Sequence, residues 1–226
     1  MASNDIYINY LLDRSGSMSS IWEATVEGFN GYKSEQAKEE GTAWITLTAF
    51  DMNGSLVPSY TTNWRPAVKA YKQKSIDIEV VFDSVKAEEC PDLTDQIRPR
   101  GGTPLLDAIG IAIENTEDWV ASHKDFDGKV LVVINTDGYE NASQEFDLAG
   151  IKASIERKEK DGWEFAFMGA GIDAFGEANK LGIASSRTLS YDATPDAAMA
   201  SSMRLNSATT QTRSGKDFSW DSKDSD

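Results

Sequence analysis

The chain has 226 residues, of which 40% are hydrophobic and 10% aromatic, and its formal net charge is -15 at neutral pH. That length suits a single large domain with a tail and buries a full core; the charge argues against a nucleic-acid backbone or an anionic membrane as the main partner and favours metal ions or basic surfaces. The single cysteine, Cys90, excludes an internal disulfide and thiolate clusters, and the single histidine, His123, excludes HExxH zinc chemistry and speaks against a Ser-His-Asp triad.

In chain order, Ile6 to Leu12 is too continuously apolar for a half-exposed strand and reads as a central strand covered on both faces. It lacks a basic leader and is broken by Asn9, so it does not read as a signal peptide. No window reaches the roughly 18 apolar residues of a membrane span, and a cytoplasmic location is expected. Ser20 with Glu23 forms a capping-box pattern that predicts a helix whose Trp22, Val26, Phe29 and Lys33 share one face, with Gly41 placed to end it. Ala43 to Phe50 reads as a second strand, and the turn signal at Asp51 to Gly54 predicts an antiparallel partner at Ser55 to Tyr60. Ile76, Ile78, Val80 and Phe82 alternate as in a strand with one buried face, taken as an extension at the sheet edge.

Thr103 and Pro104 suit the cap and first position of a helix running through Ile109, Ile113 and Thr116 towards Trp119, and Gly101 and Gly102 allow a tight turn before it. His123 ends that stretch in a polar, solvated loop. Lys129 to Asn135 is the second strongly apolar strand and ends on Thr136, Asp137 and Gly138. A helix over Phe146 to Lys160, a strand over Trp163 to Met168, a glycine-rich turn with a short helix over Gly169 to Leu181, and a strand over Arg187 to Tyr191 complete the alternation. Thr194 and Pro195 open a last helix in which Met199 and Met203 read as core. The Ser-, Thr-, Asp- and Lys-rich stretch from Ser207 reads as a disordered acidic tail, which sets the domain at 1–206 and the tail at 207–226. Phe218 and Trp220 are stray aromatics in that reading.

Strands alternating with helices define an α/β, doubly wound, mostly parallel sheet with helices on both faces, and ligands of such sheets sit beyond the carboxyl ends of the strands. Asp13 and Asp137 both end strands, Ser15 and Ser17 follow Asp13 at alternate positions, and Thr103 starts a helix. Two carboxylates and three hydroxyls are hard oxygen donors suited to Mg²⁺ or Mn²⁺. Without an ion, two carboxylates about 5 Å apart repel by roughly 3 kcal/mol at an effective dielectric of 20.

Asp13-x-Ser15-x-Ser17, then Thr103, then Asp137-Gly138, resembles the metal-ion-dependent adhesion site of von Willebrand factor A domains. GGTPLLDAIG, NTDGYENAS and WEFAFMGAGIDA look like a soluble bacterial and bacteriophage branch of that superfamily, tellurite-resistance-associated members included. The resemblance spans residue 6 to about residue 200, with 61–78 as an insertion. It implies the Rossmann-like strand order 3-2-1-4-5-6 with one antiparallel edge strand. It also implies metal contacts through the Ser15 and Ser17 hydroxyls, a direct or water-mediated contact from Thr103, and water-bridged Asp13 and Asp137. An Asp or Glu carboxylate of a partner protein would complete the coordination. Tyr139, Glu140, Asn141 and Asp173 would form the partner-binding rim, although Gly171 stands where relatives often carry asparagine.

The expected function is therefore a non-enzymatic, metal-dependent protein-binding module. A Mg²⁺-dependent phosphoesterase is the alternative, set back by Arg14-Ser15 where a DxD phosphatase has its second aspartate and by the absence of a GxSxG elbow. A third reading is self-assembly, with Asp221, Asp224 or Asp226 of one copy reaching the metal of the next.

Overall fold

All eight residues of strand β1 (Ile6–Asp13) are buried, because its two faces pack against different helix layers. Ile6, Ile8, Tyr10 and Leu12 belong to one apolar cluster, and Tyr7 and Leu11 to another. Asn9, the polar residue of the run, donates to the Ala112 carbonyl at 3.3 Å and to the Thr116 hydroxyl at 3.0 Å. Its amide NH₂ is therefore satisfied by a helix above the sheet, whereas its Oδ1 finds no hydrogen-bond partner among the described residues.

The structure is a computed structural model and describes residues 3–52, 71–72, 76–94 and 97–220. After β1 come α1 (Trp22–Gln36), β2 (Ala43–Met52), β3 (Tyr71–Lys72), β4 (Ile76–Lys86), α2 (Leu105–Ser122) and β5 (Lys129–Thr136). Then follow α3 (Leu148–Lys160), β6 (Glu164–Ala170), α4 (Ala174–Leu181), β7 (Thr188–Tyr191) and α5 (Pro195–Arg213). The sheet runs β3-β4-β2-β1-β5-β6-β7. Strands β2, β1, β5, β6 and β7 are parallel neighbours, whereas β4 pairs antiparallel with β2 and β3 with β4. With the two-residue β3 set aside, the remaining strands take the expected order 3-2-1-4-5-6. Helices α1 and α5 cover one face, and α2, α3 and α4 the other. From β1 the chain winds outward through β2 and β4, then returns to β5 on β1's other side. The switch point, where such sheets bind ligands, thus lies at the carboxyl ends of β1 and β5.

Several local expectations are corrected. The strand that pairs with β2 is β4; the Ser55 to Tyr60 segment and most of the expected 61–78 insertion lie outside the described residues, while 71–72 and 76–78 belong to the sheet. Val80 is half-buried, because register shifts opposite Leu47 interrupt the alternation of β4. Ser20 does not cap α1: the loop forms a 3₁₀ turn over Gly16–Ser20 that runs directly into the helix, with Ile21 at the cap position. Met203 is 71% exposed, because α5 meets α1 through small residues instead. A Cβ on Gly28 would stand 2.3 Å from the Ser202 hydroxyl, so the two helices approach closely there.

The tail boundary at Ser207 is also corrected. Helix α5 continues to Arg213, whose guanidinium donates to the carbonyls of Asn4 at 3.0 Å, Gln36 at 2.8 Å and Glu40 at 2.8 Å. Beyond it Phe218 and Trp220 are buried in the core, edge to face, and the Trp220 backbone N–H donates to the Ser186 carbonyl at 3.0 Å. Aromatic burial outweighs the polar composition around it. Residues 221–226, with the three aspartates considered for self-assembly, lie outside the described residues. Among the described residues no helix is long and apolar enough to cross a membrane.

Candidate metal centre

Asp13 closes β1 with no exposed surface, so its carboxylate must be held by hydrogen bonds. The Ser15 N–H donates to Oδ1 at 2.7 Å and the Thr136 hydroxyl to Oδ2 at 2.5 Å. Thr136, the last residue of β5, also accepts from the Gly138 N–H at 3.0 Å, so it ties the Asp13 loop to the Asp137-Gly138 turn. Ser15 and Ser17 bring their hydroxyls to 3.1 Å of each other, and the Ser17 hydroxyl donates to Asp137 Oδ1 at 2.6 Å. Thr103 is 2% exposed. A Cβ placed on Gly138 would stand 2.7 Å from Thr103 Oγ1 and 3.5 Å from Asp13 Oδ2. Glycine at 138 therefore leaves open the place where these oxygens converge.

Thr103 does not cap α2; Pro104 holds that position without a side-chain bond. The loop after β5 does this work. Glu140 accepts from the Leu106 N–H at 2.9 Å, Ser143 accepts from the Asp107 N–H at 3.0 Å, and Asp107 accepts from the N–H groups of Gln144, Glu145 and Phe146 at 2.8 to 3.0 Å. The Asn141 side chain accepts from the Thr103 N–H at 2.9 Å, and the Asn141 N–H donates to the Thr103 carbonyl at 3.2 Å. The structure thus brings Asp13, Ser15, Ser17, Thr103 and Asp137 together. Of the four rim candidates, Glu140 and Asn141 are committed to holding the Thr103 loop. Tyr139 is 51% exposed, and its hydroxyl accepts from the N–H of Asp173, itself the cap of α4. Tyr139 also lines a small cleft of about 210 Å³ with Leu105, Leu106, Leu148 and Leu181.

The electrostatics favour a cation. Burial pushes the Asp13 carboxyl up to about 6 against the hydrogen bonds from Thr136 and Ser15, and the neighbouring Asp137 pushes it further the same way. Burial raises Asp137 too, with the Ser17 hydrogen bond opposing. A divalent ion would supply the missing compensation, and the donor set of carboxylates and hydroxyls fits a hard ion. Among the described residues no group of three or more His, Cys, Asp or Glu side chains is placed to hold a metal, so hydroxyls have to complete this site.

Sequence reasoning missed Thr136, which lies one residue before Asp137 and carries no signal beyond its hydroxyl. It also missed the tyrosine–amide relay beneath β5, in which the Asn135 side chain donates to the Tyr10 hydroxyl and accepts from the Tyr191 hydroxyl, each at 2.9 Å.

A doubly wound sheet of this order with an antiparallel strand at its edge is the fold of von Willebrand factor A domains. Solved structures similar to the chain carry it. Proximal thread matrix protein 1 of the mussel byssus matches with a TM-score of 0.62 at 13% identity, covering 91% of this chain and 48% of that one; another structure of it has a zinc-occupied MIDAS motif. Manganese-loaded TRAP protein of Plasmodium vivax matches at 0.51 and 14% identity, covering 88% and 72%. The SpRpn10 VWA domain matches at 0.53 and 12%, covering 88% and 94%. The chain spans about half the length of the mussel protein. No protein-family model and no curated protein matches the chain. Identities this low carry the fold, and the reading of function returns to the site.

Proposed function

We propose that the chain is a non-enzymatic, metal-dependent protein-interaction module that captures an Asp or Glu carboxylate of a partner protein through a divalent ion, Mg²⁺ in the cell. The observation that carries this reading is the convergence of the fully buried Asp13 carboxylate, the half-buried Asp137 carboxylate and three hydroxyls. Solved structures of the same fold hold zinc in a MIDAS motif and manganese, which supports divalent metal binding here.

Ser15, Ser17 and Thr103 would offer neutral oxygens to the ion, and Asp13 and Asp137 its charge compensation. A bound divalent cation supplies an electrophilic position with affinity for one more anion. Thr136 holds Asp13 in its orientation, Gly138 keeps the space open, and the Glu140–Asn141 turn keeps the Thr103 loop in register. Mg²⁺ suits this set because it retains water and does not need many carboxylates. Tyr139 and the cleft beside it form the exposed part of the rim, where a partner would lie. The stretches GGTPLLDAIG, NTDGYENAS and WEFAFMGAGIDA support a place in the soluble bacterial and bacteriophage branch of these domains.

The test compares proteins retained from a lysate by immobilised wild-type chain in Mg²⁺, by the same chain in EDTA, and by Asp13→Ala in Mg²⁺. The reading expects partners present only in the first. Identical sets in all three would refute it.

A further inference from the structure

Two arginines flank the metal-binding loops in sequence, and both turn away from the metal site. Arg14, between Asp13 and Ser15, is 3% exposed. Its Nε lies 3.2 Å from Asp51 Oδ2, its Nη1 2.7 Å from Glu79 and its Nη2 3.4 Å from Asp77. Arg100, three residues before Thr103, donates its Nε to the same Asp51 Oδ2 at 2.6 Å and pairs with Asp77 through Nη2. Asp51 stands near the carboxyl end of β2 and has no exposed surface.

The backbone follows the same plan. Arg14 N–H donates to the Phe50 carbonyl at 3.0 Å, Arg100 N–H to the Arg14 carbonyl at 2.7 Å, Gly16 N–H to the Gly101 carbonyl at 3.1 Å, and Met52 N–H to the Gly102 carbonyl at 2.9 Å. Gly101 has φ +65°, and a Cβ there would fall 1.4 Å from the Met52 carbonyl oxygen. The loop bearing Thr103 is thus pressed onto the end of β2, and the loop bearing Asp13, Ser15 and Ser17 is stitched to both.

We propose that Asp51 is the positioning residue of the metal centre. By holding Arg14 and Arg100 on one carboxylate oxygen, it sets the Thr103 loop against the Asp13–Ser17 loop at the spacing the ion requires. This rests on the metal-binding reading above. Asp77 also faces both arginines and Glu79 faces Arg14, but Asp51 is the fully buried carboxylate of the three and accepts from the Nε of each arginine, so its loss leaves two buried donors, one on each loop, without their shared acceptor. The cluster also occupies the positive charge of Arg14, the nearest cation in sequence to the ligands, so that it does not oppose a metal ion. Asp51 touches neither ion nor partner in this assignment; it acts through the two arginines.

The experiment is a Mn²⁺ titration of the full chain followed by electron paramagnetic resonance, on wild type, Asp51→Asn, Glu164→Gln, Arg100→Lys, Thr103→Ala and the Arg100→Lys/Thr103→Ala double variant. Glu164 is the control: it is also buried, pairs with Arg187 at 2.8 Å, and opens β6 at the other end of the sheet. Loss of an outer-shell partner typically weakens metal binding by about 10- to 100-fold. Asp51→Asn is expected to show that loss while Glu164→Gln stays near wild type. Arg100→Lys is expected to weaken binding alone and to add nothing to Thr103→Ala, because it acts through Thr103. Wild-type affinity in Asp51→Asn, an equal loss in Glu164→Gln, or full additivity of Arg100→Lys with Thr103→Ala would each overturn the assignment. If Asp51→Asn does not fold, the Arg100–Thr103 cycle decides alone. Absence of Mn²⁺ binding by the wild type would instead defeat the functional reading on which the assignment stands.

Discussion

Two aspartates with no exposed surface stand on neighbouring strands at the carboxyl end of the sheet, Asp13 at the end of β1 and Asp51 one residue beyond its register partner on β2. Their company is opposite. Burial raises both carboxyls, but Asp51 has Arg14 and Arg100 to pull it back, whereas Asp13 has only hydrogen bonds and a second carboxylate that pushes it up further. The difference separates two kinds of buried charge. One is compensated by arginines of the same chain; the other is held by hydrogen bonds alone beside a second carboxylate, as a site for an ion from solution would be.

Stability measurements can break this comparison most directly. Removing Asp51 takes the acceptor from the Nε groups of both Arg14 and Arg100, although Asp77 and Glu79 still face their Nη atoms, so Asp51→Ala is expected to destabilise by about 3 kcal/mol in denaturant, with or without EDTA. Removing the charge of Asp13 should act in the opposite direction. In EDTA, Asp13→Asn is expected to raise stability at neutral pH by about 1–3 kcal/mol, since a shift of two pKa units corresponds to roughly 3 kcal/mol. The gain should vanish in saturating Mn²⁺, which only the wild type can bind. A destabilised Asp13→Asn in EDTA would mean that Asp13 is compensated by the chain itself.

The pH dependence sharpens the same contrast. The Asp13 carboxyl sits near 6 in the folded metal-free chain against an ordinary 3.8. The unfolded chain loses this proton first, so between those values stability falls as pH rises, and it levels off above the folded value. Thermal midpoints in EDTA should therefore carry a component that declines from about pH 4 to about pH 6 and is absent in Asp13→Asn. Mn²⁺ affinity should run the other way, rising over that interval as the proton that competes with the ion is lost. The smallest expected effect is that of Gly138→Ala. Its methyl group would stand 2.7 Å from the Thr103 hydroxyl. A displacement of that oxygen should weaken Mn²⁺ by roughly 10-fold, about 1.4 kcal/mol, with little change in metal-free stability.

Much of the layout was legible because it rests on patterns of unequal strength. The runs at Ile6 to Leu12 and Lys129 to Asn135 are long, apolar and end on aspartates, so both central strands, and the meeting of Asp13 and Asp137 beyond them, could be placed from the residues alone. Asp51 gave no such signal: next to Met52, Asn53 and Gly54 it reads as a turn residue, and nothing local reveals that arginines 37 and 49 positions away converge on it. Glu140 and Asn141 read as rim because they follow Asp137, yet the unpaired amides at and before the start of α2 need acceptors and take them. The polar composition after Ser207 suggested disorder, and the decisive groups there were few: Arg213, Phe218 and Trp220, whose partners lie in distant parts of the chain.

The clasp made by Arg213 bears on how the molecule opens. By bonding the Asn4 carbonyl at 3.0 Å across 209 positions of sequence, it fastens the last helix beside the entry to β1, at the opposite end of that strand from Asp13. Fraying of α5 and of the start of β1 is thereby joined into one event, so the strand that carries Asp13 is guarded from opening by a residue 200 positions beyond it.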